Sequence, residues 1–366
     1  MMTFEGAVLT EFGSSLSIEH ISVGGLSDTD VMVKIKATSL CHTDIEAIEG
    51  HLGLPVPLIP GHEAAGVVEW TGKSVQKVKV GDHVIISWNP HCNSCFYCAR
   101  QQPILCDQYR GNARSSFHFD GAPRLFMASR AIHQLMYAGT FAEMAVVTES
   151  CAVKISKDIP FHLACLIGCG VMTGVGAVLN IARVEPGSSV TILGCGAVGL
   201  SVIQGARLAK AKTIIAIDTS GAKLETALKL GATHGLLAGP SLQDEHSEIT
   251  DHRGADYVFE AAGNKAAFRS SLELVRPGGQ VVWLGKLPTN DDLVLRWGSL
   301  MGEKRIIRSS YGGSRPDRDF PLLVEAYLSG KLQLDEYVTS RISLSEINAG
   351  LHRLKDGREI RAVVEL

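Results

Sequence analysis

Val190-Thr191-Ile192-Leu193-Gly194-Cys195-Gly196-Ala197-Val198-Gly199 decides the fold. The first four residues read as a buried strand, the glycines as a tight turn, and residues 197–208 as a helix opening from that turn. A bare G-x-G-x-x-G recurs in many unrelated chains. Here a strand precedes Gly194, Gly196 and Gly199, a helix follows, and Asp218 closes the next strand nineteen residues beyond Gly199. That context points to a dinucleotide, with its pyrophosphate at the helix N-terminus and its ribose hydroxyls on Asp218. A 2′-phosphate would meet the charge of Asp218, and Thr219 and Ser220 bring no arginine, so NAD is expected over NADP. Lys223 is the one residue tempering that preference.

Outward from this stretch the alternation continues, with strands at 213–218, 257–260 and 280–284 and helices at 222–230 and 265–275. Alternation of this kind implies an α/β, doubly wound parallel sheet with helices on both faces. Residues 1 to about 150 differ, with short β-like runs broken by Gly, Pro and His, which suggests an irregular β-rich domain. After Gly312 the alternation stops; helix-like 320–328 and 344–354 and a strand at 362–366 return to the first domain.

A chain of 366 residues is long enough for two domains. Its 45% apolar and 20% charged residues are ordinary for a folded protein, and a formal net charge of −3 gives no case for a nucleic-acid or anionic-membrane partner. A small-molecule substrate is the expectation. The N-terminus lacks a basic start and an apolar core, so no secretory signal is read and a cytoplasmic location is expected. The uncharged stretch 163–179 contains four glycines and is shorter than the roughly 20 residues a membrane span needs, so it is expected as a buried helix at the domain junction.

Cys92, Cys95, Cys98 and Cys106 form C-x2-C-x2-C-x7-C in a loop of turn residues. Four thiolates so close can wrap one tetrahedral zinc, and four protein ligands make that metal structural. A second, dispersed set comprises Cys41-His42-Thr43-Asp44, Gly61-His62-Glu63 and Gly168-Cys169-Gly170. Two thiolates and an imidazole would leave a fourth zinc position open, as catalytic zinc requires, although spacing alone does not bring these residues together. Cys151, Cys165 and Cys195 are expected to pack as small apolar side chains.

With these motifs assembled, the chain resembles the medium-chain zinc-dependent alcohol dehydrogenases over essentially its whole length. The resemblance also runs through Leu166-Ile167-Gly168-Cys169-Gly170, Gly81-Asp82 and Glu359-Ile360-Arg361. It implies a GroES-like catalytic domain of residues 1–170 completed by 312–366, with a Rossmann domain at 171–311 inserted between. It places a catalytic zinc on Cys41, His62 and Cys169, with Asp44 orienting His62 and Glu63 behind the metal. Thr43 would bond the substrate oxygen and start a proton relay; Thr173 and Val198 would hold the nicotinamide ring; His42 and Arg361 would contact the pyrophosphate. The implied chemistry is hydride transfer between an alcohol and NAD, with zinc as Lewis acid.

At the position where many relatives carry the relay histidine this chain has Glu46; Glu46 as general base, His51, or water alone could complete the path. The segment from about 111 to 139 resembles the longer substrate loop of the class I, class III and benzyl-alcohol groups. Trp88, Leu52, Leu135, Met136 and Leu287 fall where those relatives line the substrate channel, which suggests primary alcohols with an aryl or extended apolar group. Arg110 matches the arginine that class III enzymes use to hold a glutathione adduct, but Leu52 replaces their partner acid. The alternatives are a thiol-adduct formaldehyde dehydrogenase, a nicotinoprotein alcohol dehydrogenase and, further off, a catalytically idle zinc-stabilised binding protein. The resemblance also implies a homodimer or homotetramer paired through edge strands near residues 305–309.

Overall fold

The computed structural model describes residues 2–112 and 116–366, with the backbone alone at 111 and 112. The start of the expected substrate segment, residues 113–115, lies outside the described residues. The chain divides into two compact units, Met1–Cys169 with Arg315–Leu366, and Gly170–Ser314.

The first unit contains β1 (Thr3–Val8), β2 (Ser17–Val23), β3 (Asp30–Ser39), α1 (His42–Ile48), β4 (Leu58–Ile59), β5 (Ala64–Thr71) and β6 (His83–Ile86). It continues through α2 (Phe96–Ala99), α3 (Asp107–Asn112), β7 (Leu125–Met127), β8 (Arg130–Gln134), β9 (Met144–Thr148), β10 (Ala152–Lys154) and α4 (Phe161–Leu166). One sheet runs β1-β2-β7-β8-β4. Strand β3 is the centre of the other, flanked by β5 and β9, because Val31, Val33 and Ile35 are buried in one core and Met32 in the other.

The second unit holds α5 (Met172–Gly176), β11 (Ser189–Leu193), α6 (Ala197–Leu208), β12 (Thr213–Asp218), α7 (Gly221–Lys229), β13 (His234–Leu237) and α8 (Leu242–Ile249). It ends with β14 (Ala255–Glu260), α9 (Lys265–Leu274), β15 (Val275–Trp283) and β16 (Arg305–Arg308). Its six strands are all parallel, in the order β13-β12-β11-β14-β15-β16, so strand order reverses between β11 and β14. Leu193, Ile215, Ile217, Val258 and Val281 fill one face of that sheet.

The tail returns to the first unit as α10 (Pro316–Leu328), β17 (Val338–Ile342), α11 (Ile347–Lys355) and β18 (Arg361–Glu365). Strand β18 pairs antiparallel with β3, and the N–H of Leu40 donates to Ala362 O at 2.9 Å. This register sets Arg361 beside the start of α1.

Four elements differ from expectation. The stretch read as 163–179 is a longer helical run, Phe161–Ala182, long and apolar enough by composition to cross a membrane. Of its most apolar window 72% is buried inside the protein, as in a core helix. Its glycines permit close packing rather than weakness: a Cβ on Gly174 would stand 2.5 Å from Val198 O and from Ser201 Cβ of α6. The helix α9 stops at Leu274, because Pro277 and the two glycines after it turn Val275 into the start of β15. The strand β13 and helix α8 were not anticipated, since His234 and the charged residues 244–248 hide their apolar spacing.

Candidate metal centre and dinucleotide site

Asp44 organises the dispersed zinc set. It occupies the first turn of α1, fully buried, and its Oδ2 accepts the N–H of Cys41 at 2.9 Å in a reciprocal cap of the helix. Its Oδ1 accepts the N–H of Gly61 at 3.0 Å and lies 3.0 Å from His62 Nδ1. One carboxylate thus fixes both the Cys41 turn and the Gly61-His62 turn. Gly61 adopts φ +91, a left-handed conformation, and a Cβ there would stand 2.6 Å from Phe141 N. With Nδ1 committed to Asp44, His62 Nε2 is buried without a hydrogen-bond partner. An orphaned imidazole nitrogen beside two cysteine sulfurs is the arrangement a metal ligand requires.

The ligand atoms of Cys41, His62 and Cys169 all lie within 4.8 Å of one another. Cys169 sits in a wide π-type turn, Ile167–Val171, of the long helical run. A hydrogen bond to Cys169 holds the Cys41 thiol well below its ordinary range against the opposing effect of burial, helped by Arg361 and His62. Burial pulls the His62 imidazole down, but the Asp44 carboxylate and Cys41 outweigh it and raise it to about 10. Arg361, 5% exposed, places Nε 3.2 Å from Glu63 Oε2 and Nη2 3.8 Å from Cys41 Sγ. The expected phosphate contact is thus a guanidinium already paired with the expected acid behind the metal.

Cys92, Cys95, Cys98 and Cys106 also gather their sulfurs within 4.8 Å of one another, with none in a disulfide. The N–H of Cys95 donates to Cys92 Sγ at 3.4 Å, and the N–H of Cys92 to Cys106 Sγ at 3.4 Å. Burial raises the Cys92 thiol, yet the N–H groups of Ser94 and Cys95 outweigh it and bring it to about 6. Backbone donors aimed at sulfur favour the thiolate form that zinc binds.

In the second unit Gly194 takes φ +94, and a Cβ there would stand 2.7 Å from Ala262 N, so the turn after β11 lies against the turn after β14. Gly199 leaves no room for a side chain against Gly194 O, which lets α6 close onto β11. Asp218 ends β12, accepting the N–H of Cys195 at 2.7 Å and of Ser220 at 3.0 Å. Val198 and Thr173 are half-buried on α6 and α5, and Lys223 is half-buried on α7.

A small, open cavity of about 130 Å³ in the first unit is lined by Leu52, Leu54, Tyr109, Ser116, Leu135, Met136 and Tyr137. Three of the expected substrate residues meet there. Trp88 is buried but does not line it, and Leu287 belongs to the second unit. Tyr109 and Tyr137 pack edge to face at 5.6 Å; sequence reading missed both, because a lone tyrosine gives no periodic signal. Met136 and Tyr137 hold φ of 51 and 58, a strained conformation for residues with side chains. Thr43 is buried one turn from half-buried Glu46 on α1, His42 is exposed, and Arg110 is exposed on α3. His51 is exposed beside Glu49, and its N–H donates to Glu46 O at 2.9 Å.

A parallel six-stranded sheet with a glycine turn at its switch point, a four-cysteine lobe and a buried Cys-His-Cys set define a zinc-binding, dinucleotide-dependent dehydrogenase. Residues 27–157 match the alcohol dehydrogenase GroES-like domain and residues 197–329 the zinc-binding dehydrogenase domain. The alcohol dehydrogenase class-3 of Cereibacter sphaeroides is 38% identical over 99% of this chain and 100% of that protein. The S-(hydroxymethyl)glutathione dehydrogenase of Synechocystis sp. is 36% identical over 99% of this chain and 100% of its own length. Benzyl alcohol dehydrogenase from Acinetobacter calcoaceticus matches with a TM-score of 0.94 and 29% identity, each chain covered in full. The chain belongs to the medium-chain zinc-dependent alcohol dehydrogenase family, and it is an enzyme that uses zinc and NAD(P).

Proposed function

We propose that this enzyme oxidises a hydroxymethyl group with NAD as hydride acceptor, and that its substrate is a thiol adduct of formaldehyde of the S-hydroxymethyl type. The similarity to several relatives named S-(hydroxymethyl)glutathione dehydrogenase carries this reading. Cys41, His62 and Cys169 hold the catalytic zinc, and Cys92, Cys95, Cys98 and Cys106 the structural one. Zinc held by the first set supplies a Lewis acid that eases loss of the alcohol proton near neutral pH. Thr43 would hydrogen-bond the substrate oxygen and relay that proton, accepting it as its own hydroxyl proton passes onward. Glu46 lies three residues on, on the same helix face, and passes it toward solvent. Asp44 keeps His62 oriented, and Glu63 with Arg361 tempers the charge behind it. His42 and Arg361 face the pyrophosphate, and Thr173 and Val198 the nicotinamide. Asp218 selects NAD over NADP by repelling a 2′-phosphate, with half-buried Lys223 on α7 tempering that preference.

A second reading has its own support. Among the described residues the cavity lining is uncharged, which suits an aryl or extended apolar primary alcohol. Among the described residues near Tyr109 in sequence, exposed Arg110 is a cation able to serve the thiol-adduct reading. NADH formation from formaldehyde with and without glutathione, set beside benzyl and straight-chain alcohols, separates the two. A cytoplasmic homodimer or homotetramer, paired through the edge strand β16, belongs to the same proposal.

A further inference from the structure

Glu260 is a buried acid that none of the assigned roles uses. It ends β14, is fully buried, and stands at the carboxyl end of the sheet beside the reversal of strand order. Its Oε1 accepts the N–H of Ala262 at 2.9 Å and of Gly263 at 2.7 Å, folding the chain into the turn that lies against Gly194. Its backbone oxygen accepts the N–H of Leu284 at 2.8 Å and of Gly285 at 3.0 Å, at the exit of β15. A Cβ on Gly285 would collide with Glu260 Oε2 and would stand 2.5 Å from Gly263 N. One residue thus ties together the ends of β14 and β15 and sets the turn facing β11.

In a doubly wound sheet the ligand lies outside the carboxyl ends of the strands at the switch point, one mononucleotide on each half. Asp218 marks the β11–β12 half as the adenosine side, so the β14–β15 half is left to the nicotinamide mononucleotide. We propose that Glu260 is a positioning residue for the nicotinamide half of the dinucleotide, holding the turns after β14 and β15 at the separation that half requires. The carboxylate acts through the backbone it holds. Burial pushes its carboxyl up, opposed by the N–H groups of Gly263, Ala262 and Gly285 and by the charge of Arg308. A neutral glutamine can accept the same N–H bonds, so shape is the property that matters.

The test compares NADH and AMP binding, by NADH fluorescence and calorimetry, in the native chain and in Glu260→Ala and Glu260→Gln. Loss of the two N–H bonds in Glu260→Ala should weaken NADH about tenfold while AMP, which occupies the Asp218 half alone, changes less than about twofold. Glu260→Gln should restore NADH to within about threefold of the native chain. Unchanged NADH affinity in Glu260→Ala, or equal weakening of NADH and AMP, overturns the proposal. If Glu260→Ala does not fold, Gly285→Ala presses a methyl onto Oε2; selective loss of NADH supports the proposal, and equal or no loss overturns it. Native NADH binding reports separately on whether the sheet takes a dinucleotide at all.

Discussion

Asp44 carries more of the centre than any ligand does, since it makes hydrogen bonds to Cys41 and Gly61 and an ion pair with His62. Its replacement by Ala should cost the catalytic zinc about 10- to 100-fold in affinity and leave the four-cysteine zinc in place. Metal analysis after mild chelation checks this: one zinc retained per chain is expected, and two retained would count against the role. Glu46 stands at the exit of the expected proton path. Glu46→Ala should lower kcat by about tenfold or more and alter the shape of the pH–rate profile. An unaltered profile assigns that step to His51 or to water. The residues that gather into the two clusters were legible because cysteine and histidine have few other reasons to sit in such motifs. Tyr109, Tyr137 and Glu260 were not, since their roles come from folding brought about by distant segments.

Elements read from alternation were legible where strands are apolar throughout. The helix α6 is found at the residues read for it, because the glycine turn fixes its start and its buried face runs on to Ala206. The helix α8 escaped because its one fully buried side chain is His246, which lies 2.8 Å from Thr191 Oγ1 beneath β11. Burial brings that imidazole down to about 4. A histidine held neutral in the folded state costs nothing above its unfolded pKa of about 6.5. Below it the unfolded chain binds the proton first, so stability falls as pH drops from about 6.5 to about 4, by about 3 kcal/mol in total. His246→Gln keeps a partner for Thr191 without titrating. Its denaturant midpoint should fall less than the native one across that window, and parallel curves would show that His246 is not the titrating group.

At the scale of the molecule, the first unit supplies both cysteine sets and the apolar cavity, and the second supplies the nucleotide sheet. Metal and cofactor chemistry follow from motifs that fold locally or cap one element. The apolar cavity draws its lining from residues scattered over 52–54, 109 and 116–137, so the sequence conveys its apolar character and little else. The central claim is zinc-dependent hydride transfer to NAD from a hydroxymethyl group. The most direct measurement is NADH formation from formaldehyde plus glutathione, benzyl alcohol and a secondary alcohol, before and after zinc removal. The account predicts turnover of the glutathione adduct above the others, none with NADP at equal concentration, and loss of all turnover without zinc. NADH formation that survives zinc removal, or no turnover of any hydroxymethyl substrate by the zinc-loaded enzyme, would contradict it.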